Sequence, residues 1–209
     1  MAKNNQTKAI DTSTEEKIKE AAKVVFLKKG YAATRTRDIA EQAEINLALL
    51  NYYFRSKEKL FNIIMSETVS KFMQGMVAVL NNEETSLKRK VEHIAEKYID
   101  FILLEPNVPM FILSEIRNNP EALSGKLPVR RLFLESVFVK QHQKAVEMGE
   151  ITEPNPLHFL VNLLGLVIFP FVIKPMLQHN GVVSESQFEK LMQERKRLIP
   201  IWIEAMMKA

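Results

Sequence analysis

The fold is decided by residues 14–61, TEEKIKEAAKVVFLKKGYAATRTRDIAEQAEINLALLNYYFRSKEKLF. Apolar residues recur in this stretch at the spacing of amphipathic helices, and stop and start signals separate the recurrences. The pattern predicts three short helices followed by the start of a fourth.

The first predicted helix carries an apolar stripe at positions i, i+3, i+4, i+7 and i+8, namely Ile18, Ala21, Ala22, Val25 and Phe26. Ser13 with Glu16, or Thr12 with Glu15, has the spacing of a capping box. We therefore expect the helix to begin there. Gly30 follows the stripe and favours a left-handed stop.

The next two helices are marked mainly by their caps. Thr34 or Arg35 stands where the second helix should be capped, and this helix is only about two turns long, so packing must hold it. Asn46 is a good N-cap for a third helix, Leu47 to Phe54, and Ser56 caps the fourth. Two short helices joined by a small turn and packed on a third are typical of helix-turn-helix units, which place one helix in the DNA major groove.

The third helix has an unusual outer side, because it contains no Lys or Glu. Leu50 and Phe54 are four residues apart and can point inward. The remaining residues then lie at or near the outer side of the helix: Leu47, Ala48, Asn51, Tyr52 and Tyr53. Asn can pair with adenine, Ala and Leu can contact thymine methyl groups, and Tyr can bind phosphate. Arg37 is within the second helix and would reach a guanine or a phosphate, and Lys57 adds charge at the start of the fourth helix. The alternative is that the two tyrosines and Leu47 are ordinary packing contacts.

These residues resemble the DNA-binding domain of the TetR family of transcriptional regulators. The matches extend over nearly 50 residues: Ala21, Ala22, Phe26, Gly30, Tyr31, Thr34, Ile39, Ala40, Ala43, Ile45, Leu50, Phe54, Ser56, Lys57, Glu58 and Leu60. The resemblance implies base or phosphate contacts at Thr36, Arg37, Asn46, Leu47, Ala48, Asn51, Tyr52, Tyr53 and Lys57.

The sequence departs from the family pattern where DNA is read. Glu44 replaces the usual glycine of the turn, so we expect a strained φ or a different turn geometry there. Ala48 replaces a common glycine, Asn51 a common tyrosine and Tyr53 a common histidine, whereas Asn46 replaces a serine and keeps the cap. These differences concern the operator sequence rather than DNA binding itself.

The rest of the chain differs in charge and pattern. Residues 1–60 hold 12 Lys and Arg against 8 Asp and Glu, whereas residues 61–209 hold 17 of each, so the net charge of +4 lies on the N-terminal part. The few glycines and the lack of alternating β-branched runs argue against sheets. We predict an all-α protein of about nine helices, with a helix-turn-helix domain at 1–60 and an antiparallel helical bundle at 61–209 for ligand binding and dimerisation.

Residues 157–177, LHFLVNLLGLVIFPFVIKPML, are apolar enough to require a membrane test. The uninterrupted run from Leu163 to Ile173 has 11 residues, whereas a span needs about 20. No second segment of this kind is evident, so we expect no membrane contact and a helix buried on most sides, within the bundle and across a subunit interface. A membrane-associated helical protein is the weaker alternative. The polar N-terminus and the absence of cysteine fit a cytoplasmic location.

The resemblance also implies what the bundle does. The last two helices, near 157–176 and 186–206 and including Trp202, would form a homodimer contact, so that two heads read a palindromic operator in double-stranded DNA. A small apolar or amphipathic effector would bind in the bundle. The side chains predicted to contact it are Phe101, Met110, Phe111, Phe133, Phe138 and Phe169. The expected function is a transcriptional repressor that the effector releases from DNA. No catalytic or metal-binding motif is present and no cofactor is predicted; the alternative is an apolar-ligand carrier or an enzyme using the bundle.

Overall fold

The computed structural model describes residues 3–118, 120–121 and 130–208, with side chains from residue 13 onward and none described at 130. This part of the chain contains nine α-helices, one π-helical turn and no strand, which confirms the all-α prediction. The helices are α1 Lys3–Ala33, α2 Thr36–Gln42, α3 Leu47–Tyr53, α4 Lys57–Leu80, α5 Leu87–Leu104, α6 Val108–Asn118, α7 Val137–Glu147, α8 Pro156–His179 and α9 Glu185–Met207; the π-helical turn is Arg130–Leu134.

The chain forms two compact units. The first comprises Met1–Val69 with Phe111–Asn118, and the second comprises Ser70–Met110 with Asn119–Ala209. Two helices, α4 and α6, have residues in both units.

The start of α1 was predicted wrongly. The helix begins at Lys3, so Thr12 and Ser13 lie inside it and do not cap it. Residues 3–14 contain no glycine or proline, and nothing in them interrupts helical backbone. The predicted break at Gly30 is confirmed, since its φ of 73° and ψ of 174° are non-helical.

The predicted caps of the next helices are confirmed. Arg35 is the N-cap of α2, and Asn46 caps α3 by accepting a 2.8 Å hydrogen bond from Leu49 N at its Oδ1. Ser56 Oγ accepts from Lys59 N at 3.1 Å before the first turn of α4. Further along the chain, Ser184 caps α9 within a capping box, as its sequence predicts. The predicted helix start at Asn119-Pro120 lies outside the described residues, since Asn119 is not among them.

The first unit packs α1, α2, α3 and the start of α4 around one apolar core. Its fully buried side chains are Ile18, Ala22, Phe26, Ile39, Leu50, Leu60 and Ile64. Phe26 and Phe61 meet edge to face, with ring centroids 5.0 Å apart, and Phe111 of α6 meets Phe61 at 5.7 Å. The two-turn helices α2 and α3 are therefore held by tertiary packing, as their length requires.

In the second unit, α5 packs against α9, α8 and α7. One face of α5 is buried through its whole length, including Val91, Ile94 and Ile102. The ammonium group of Lys90 is drawn into the α4–α5 connection, where it donates to Asn82 O at 2.5 Å and Thr85 O at 2.6 Å. Burial lowers the pKa of Lys90. The hydrogen bonds to the two carbonyl oxygens offset part of the cost of burying its ammonium group.

Helix α8 is only partly buried within the protomer. Phe159, Leu163, Val167 and Phe171 are buried in the protomer, whereas only 22% of its most apolar 18-residue window is buried. By length and composition both α8 and α4 are apolar enough to cross a bilayer, so the expectation of a single such segment was wrong. Core helices of soluble proteins pass the same test, which makes this weak evidence for a membrane.

Candidate nucleic-acid interface

The turn between α2 and α3 sets the direction of the third helix. Glu44 occupies it with a φ of 53°, the left-handed conformation that the missing glycine led us to expect. Its carboxylate is 84% exposed and lies 3.5 Å from Lys17 Nζ. Ile45 N donates to Ala40 O at 3.0 Å across the turn, so the backbone of the turn is satisfied despite the strain.

The outer side of α3 is open to solvent. Tyr52 is 76% exposed, and Ala48 and Asn51 are also exposed, while Leu50 anchors the opposite side at 1% exposure. Tyr53 is half-buried, and its ring meets that of Tyr52 edge to face at 5.4 Å. The structure thus exposes Ala48, Asn51 and Tyr52 and leaves Leu47 and Tyr53 half-buried beside them. We call these five predicted residues the α3 face.

The first turn of α2 contributes Thr36 and Arg37. Thr36 is half-buried at the first helical position, and Arg37 is exposed beside it. Asp38 accepts from Arg35 N at 2.9 Å and pairs with Lys29 Nζ at 3.1 Å. The backbone hydrogen bond from Arg35, followed by the bond to Lys29, lowers the pKa of the Asp38 carboxyl group. This carboxylate therefore stabilises the helix start and is already neutralised by Lys29.

Lys57 makes contacts that its sequence position does not reveal. Its Nζ donates to Tyr31 O and Thr34 O, both at 2.9 Å, and lies 4.1 Å from the centre of the Tyr31 ring. Two of its three N–H groups thus bind carbonyls beyond the break at Gly30. The residue ties the start of α4 to the α1–α2 connection, and its predicted phosphate contact would have to use the remaining N–H.

Arg55 is a residue that the sequence reasoning missed. It is exposed, lies two residues after the end of α3, and makes no ion pair within the part of the chain that the structure describes. An unpaired guanidinium beside the α3 face is well suited to a phosphate. The sequence signal that could have indicated it is a basic residue between α3 and the cap Ser56. It was missed because the family pattern has no fixed residue at this position.

Comparison with known proteins identifies this helix-turn-helix unit. The family described as "Bacterial regulatory proteins, tetR family" matches residues 18–64, which include all of α2 and α3. The chain is 25% identical over 205 residues to the probable HTH-type transcriptional regulator YttP of Bacillus subtilis (strain 168), covering 94% of this chain and 95% of that protein. Residues 18–64 are a DNA-binding domain of the TetR family of transcriptional regulators.

Two further comparisons agree with this family. The HTH-type transcriptional repressor NicS of Pseudomonas putida is 31% identical over 121 residues, 54% of this chain and 57% of that protein. Among solved structures, Salmonella enterica GusR superposes with a TM-score of 0.61 at 19% identity, covering 94% of this chain and 96% of that one. This likeness covers residues of both units and shows that the chain shares the fold of GusR. The protein is a DNA-binding transcriptional regulator.

The predicted effector-binding residues of this regulator are not gathered at one place. Phe133 and Phe138 are buried with ring centroids 6.0 Å apart, and Phe138 also meets Phe159 at 4.3 Å. Phe101 lies against Phe72 at 5.6 Å, and Phe111 belongs to the first unit. The other two predicted residues are half-exposed or more: Met110 at 49% and Phe169 at 58%. Phe133 and Phe138 are thus in mutual contact, and the role of all six residues in ligand binding remains a prediction.

One buried titratable group lies next to this aromatic pair. His142 is fully buried on α7, one turn after Phe138, and neither ring nitrogen has a hydrogen-bond partner within the described residues. Burial lowers the pKa of His142, and the nearby Glu153 opposes this only in part. The imidazole is thus held neutral. No group of three or more His, Asp or Glu in the described part of the chain is arranged to hold a metal ion.

Proposed function

We propose that this regulator is a cytoplasmic, homodimeric repressor that binds a palindromic operator and is released by a small apolar or amphipathic effector. Residues 1–60 act as the DNA-binding domain, and residues 61–209 serve dimerisation and effector binding. The observation that carries the proposal is the exposed α3 face, which has tyrosine and asparagine side chains available and a helix held rigidly by Leu50 and Phe54. The relative NicS, whose name describes it as a repressor, supports the direction of regulation.

Operator contacts fall into two classes on this surface. Asn51 and Ala48 are suited to base edges, and Tyr52, Tyr53, Thr36 and the exposed Arg37 to the backbone or to guanine. Asn46 and Leu47 lie at the start of the helix that would enter the groove. Arg55 and the remaining N–H of Lys57 add phosphate contacts at its end.

The exposed side of α8 supports the homodimer. Leu157, Val161 and Phe169 follow one another at intervals of four or eight residues and are 44%, 67% and 58% exposed. On α9, Ile201 is 53% exposed. Apolar stripes of this size on a soluble protein indicate a protein contact, and a two-fold axis would pair α8 and α9 with their own copies.

Release of DNA would follow from a change in the separation of the two heads. Two half-sites on one face of the duplex are about 34 Å apart, so a small change in separation weakens binding of both heads together. Helix α4 is continuous through residues of both units and is the element through which effector binding would act. The effector lowers operator affinity only if it binds the non-operator arrangement more tightly.

Fluorescence anisotropy with labelled DNA from upstream of the protein's own gene tests operator binding. Asn51→Ala and Tyr52→Ala should each weaken binding by about 1–3 kcal/mol, that is, roughly 5- to 150-fold. Gln143→Ala is the matched control, because Gln143 is exposed on α7, far along the chain from the α3 face. Equal affinity of all three variants for the operator would exclude the α3 face as the reading surface.

Sedimentation velocity tests the dimer. Phe169→Glu places a charge in the exposed α8 stripe and should convert the dimer to monomers, and it should weaken operator binding without changing the circular dichroism spectrum. Gln143→Glu, which adds the same charge at an exposed position of α7 outside the proposed contact, is the control. A wild-type monomer at micromolar concentration, or an unchanged dimer in Phe169→Glu, would count against the proposed contact.

A further inference from the structure

A groove of about 650 Å³ lies in the second unit, apart from the predicted aromatic residues. Its size is within the range of small-molecule sites. Four segments form it: the start of α5, the second half of α7, the loop that follows, and the end of α9. Its lining includes Val91, Ala145, Met148, Ile151 and Ile203.

The floor of the groove is apolar and already formed. Val91, Ala145, Ile151 and Ile203 are each at most 8% exposed. The loop is fastened to the end of α9, because Thr152 donates to Met207 O from both its N, at 3.0 Å, and its Oγ1, at 3.2 Å. A ligand would therefore meet a fixed surface and pay little to order it.

Charged groups lie along the rim. Glu204 accepts from Lys88 at 3.0 Å and from Lys208 at 2.8 Å. The hydrogen bond from Lys208, followed by that from Lys88, lowers the pKa of Glu204 to about 2, so this carboxylate stays ionised and paired. Each of the two ammonium groups still has N–H groups available for a second anion.

Lys144 is the third cation of the rim. It lines the groove and forms no ion pair with any residue that the structure describes. The rim holds three ammonium groups against the carboxylates of Glu204 and Glu150. An apolar floor under a rim with a positive excess is complementary to a molecule with an apolar chain and one negative end group.

We propose that this groove binds a small amphipathic carboxylate, with its chain on the Val91–Ile203 floor and its carboxylate at Lys144. The effector role of such a ligand rests on the proposed function, but its binding does not. The site differs from the predicted effector set, because its lining contains none of the six predicted residues: Phe101, Met110, Phe111, Phe133, Phe138 and Phe169.

Isothermal titration calorimetry of the full chain without DNA tests the groove. Decanoate should bind, and decyltrimethylammonium, which has the same chain and the opposite charge, should bind at least about tenfold more weakly, a difference of about 1.4 kcal/mol. Lys144→Gln should reduce decanoate affinity about fivefold or more, whereas Lys140→Gln, one turn earlier on α7 and outside the groove, should leave it unchanged.

Two variants show whether the alkyl chain of decanoate lies on the apolar floor of the groove. Ala145→Trp fills the groove and should abolish decanoate binding. Met148→Glu, at a position that is 62% exposed and therefore tolerant of substitution, should weaken it at least about tenfold through repulsion and lost apolar contact. Thermal unfolding confirms that each variant is folded.

Three results would overturn the proposal: no decanoate binding to the wild type, equal binding of the cationic probe, or wild-type affinity in Met148→Glu. Since no DNA is present, such a failure leaves operator binding untouched. Loss of operator binding with intact decanoate binding would instead count against the proposed function.

Discussion

The ammonium group of Lys57 donates to the carbonyl oxygen of Tyr31 over 2.9 Å while it lies 4.1 Å from the centre of the same residue's ring. It also donates to Thr34 O, whose residue in turn donates from Oγ1 to Gly30 O at 2.7 Å. The backbone turns sharply at Gly30, and Lys57 satisfies the carbonyls that follow this break. A residue expected from its sequence position to contact phosphate is thus also a structural tie within the first unit.

Lys57→Met tests this tie. Methionine keeps the apolar part of the side chain but removes the charged donor, so two carbonyls lose their partner. We expect a loss of about 1–2 kcal/mol in the free energy of unfolding, since hydrogen bonds to charged groups contribute about 1.5–3 kcal/mol and this one is partly solvated. Urea denaturation followed by circular dichroism measures it. Lys59→Met, at an exposed neighbouring position, is the control, and equal stability of the two variants would contradict the structural role.

Arg55→Ala addresses the phosphate contact that the sequence reasoning missed. Removal of one phosphate contact should lower the slope of log K against log salt concentration by about 0.9. It should weaken binding to operator and non-operator DNA to a similar extent, because phosphate contacts carry no sequence information. Lys140→Ala, an exposed cation on α7, controls for the general loss of one charge. A change in operator preference with an unchanged salt slope would mean that Arg55 reads a base instead.

The strained turn offers a stabilising substitution. Glu44 has a φ of 53°, and this conformation costs a residue with a Cβ about 1–2 kcal/mol in the folded state. Glycine avoids this cost, but its greater backbone freedom lowers the free energy of the unfolded state by about 0.4–1 kcal/mol. Glu44→Gly should therefore raise the free energy of unfolding by about 0.5–1 kcal/mol. Glu44→Ala keeps the strain and loses only an exposed ion pair with Lys17, so it should change stability by less than about 0.5 kcal/mol. Urea denaturation of both variants decides this, and a destabilised Glu44→Gly would show that the turn is not strained.

The sequence predicted the first unit better than the second, because the first depends more on caps and turns that act within a few residues. Asn46, Ser56 and Gly30 act through local backbone chemistry, so their effects can be read without the fold. The strain at Glu44 was likewise foreseen from the glycine that it replaces. The early start of α1 was missed because residues 3–14 contain no breaker, and a good cap at Ser13 is optional when the helix simply continues.

The contacts of Lys57 and the groove at Ala145 depend on pairs of residues that are far apart in sequence, and no local pattern reports them. The same holds for the predicted effector residues. Phe111 and Phe138 share an apolar character, but the fold places the first in one unit and the second in the other. Composition identifies candidates for a core and cannot assign them to a cavity.

The burial of His142 leads us to expect that the stability of the fold depends on pH. Burial lowers the pKa of His142 in the folded protein below the ordinary histidine value of about 6.5, so the unfolded chain binds a proton more readily than the folded one. The contribution of this group to stability is fully present above the unfolded pKa and is lost as pH falls from there toward the folded pKa. The free energy of unfolding should therefore decrease as pH falls below about 6.5.

His142→Leu should remove this part of the pH dependence. Both ring nitrogens lack partners, so a leucine of similar size leaves no polar group unsatisfied, and stability at pH 7 should stay equal or rise by about 1 kcal/mol. The exposed His179, at the end of α8, is the matched control, and His179→Leu should keep the wild-type dependence. Urea denaturation at several pH values compares the three proteins. If His142→Leu loses stability below about pH 6.5 as steeply as the wild type, protonation of this imidazole is not what destabilises the fold in that range.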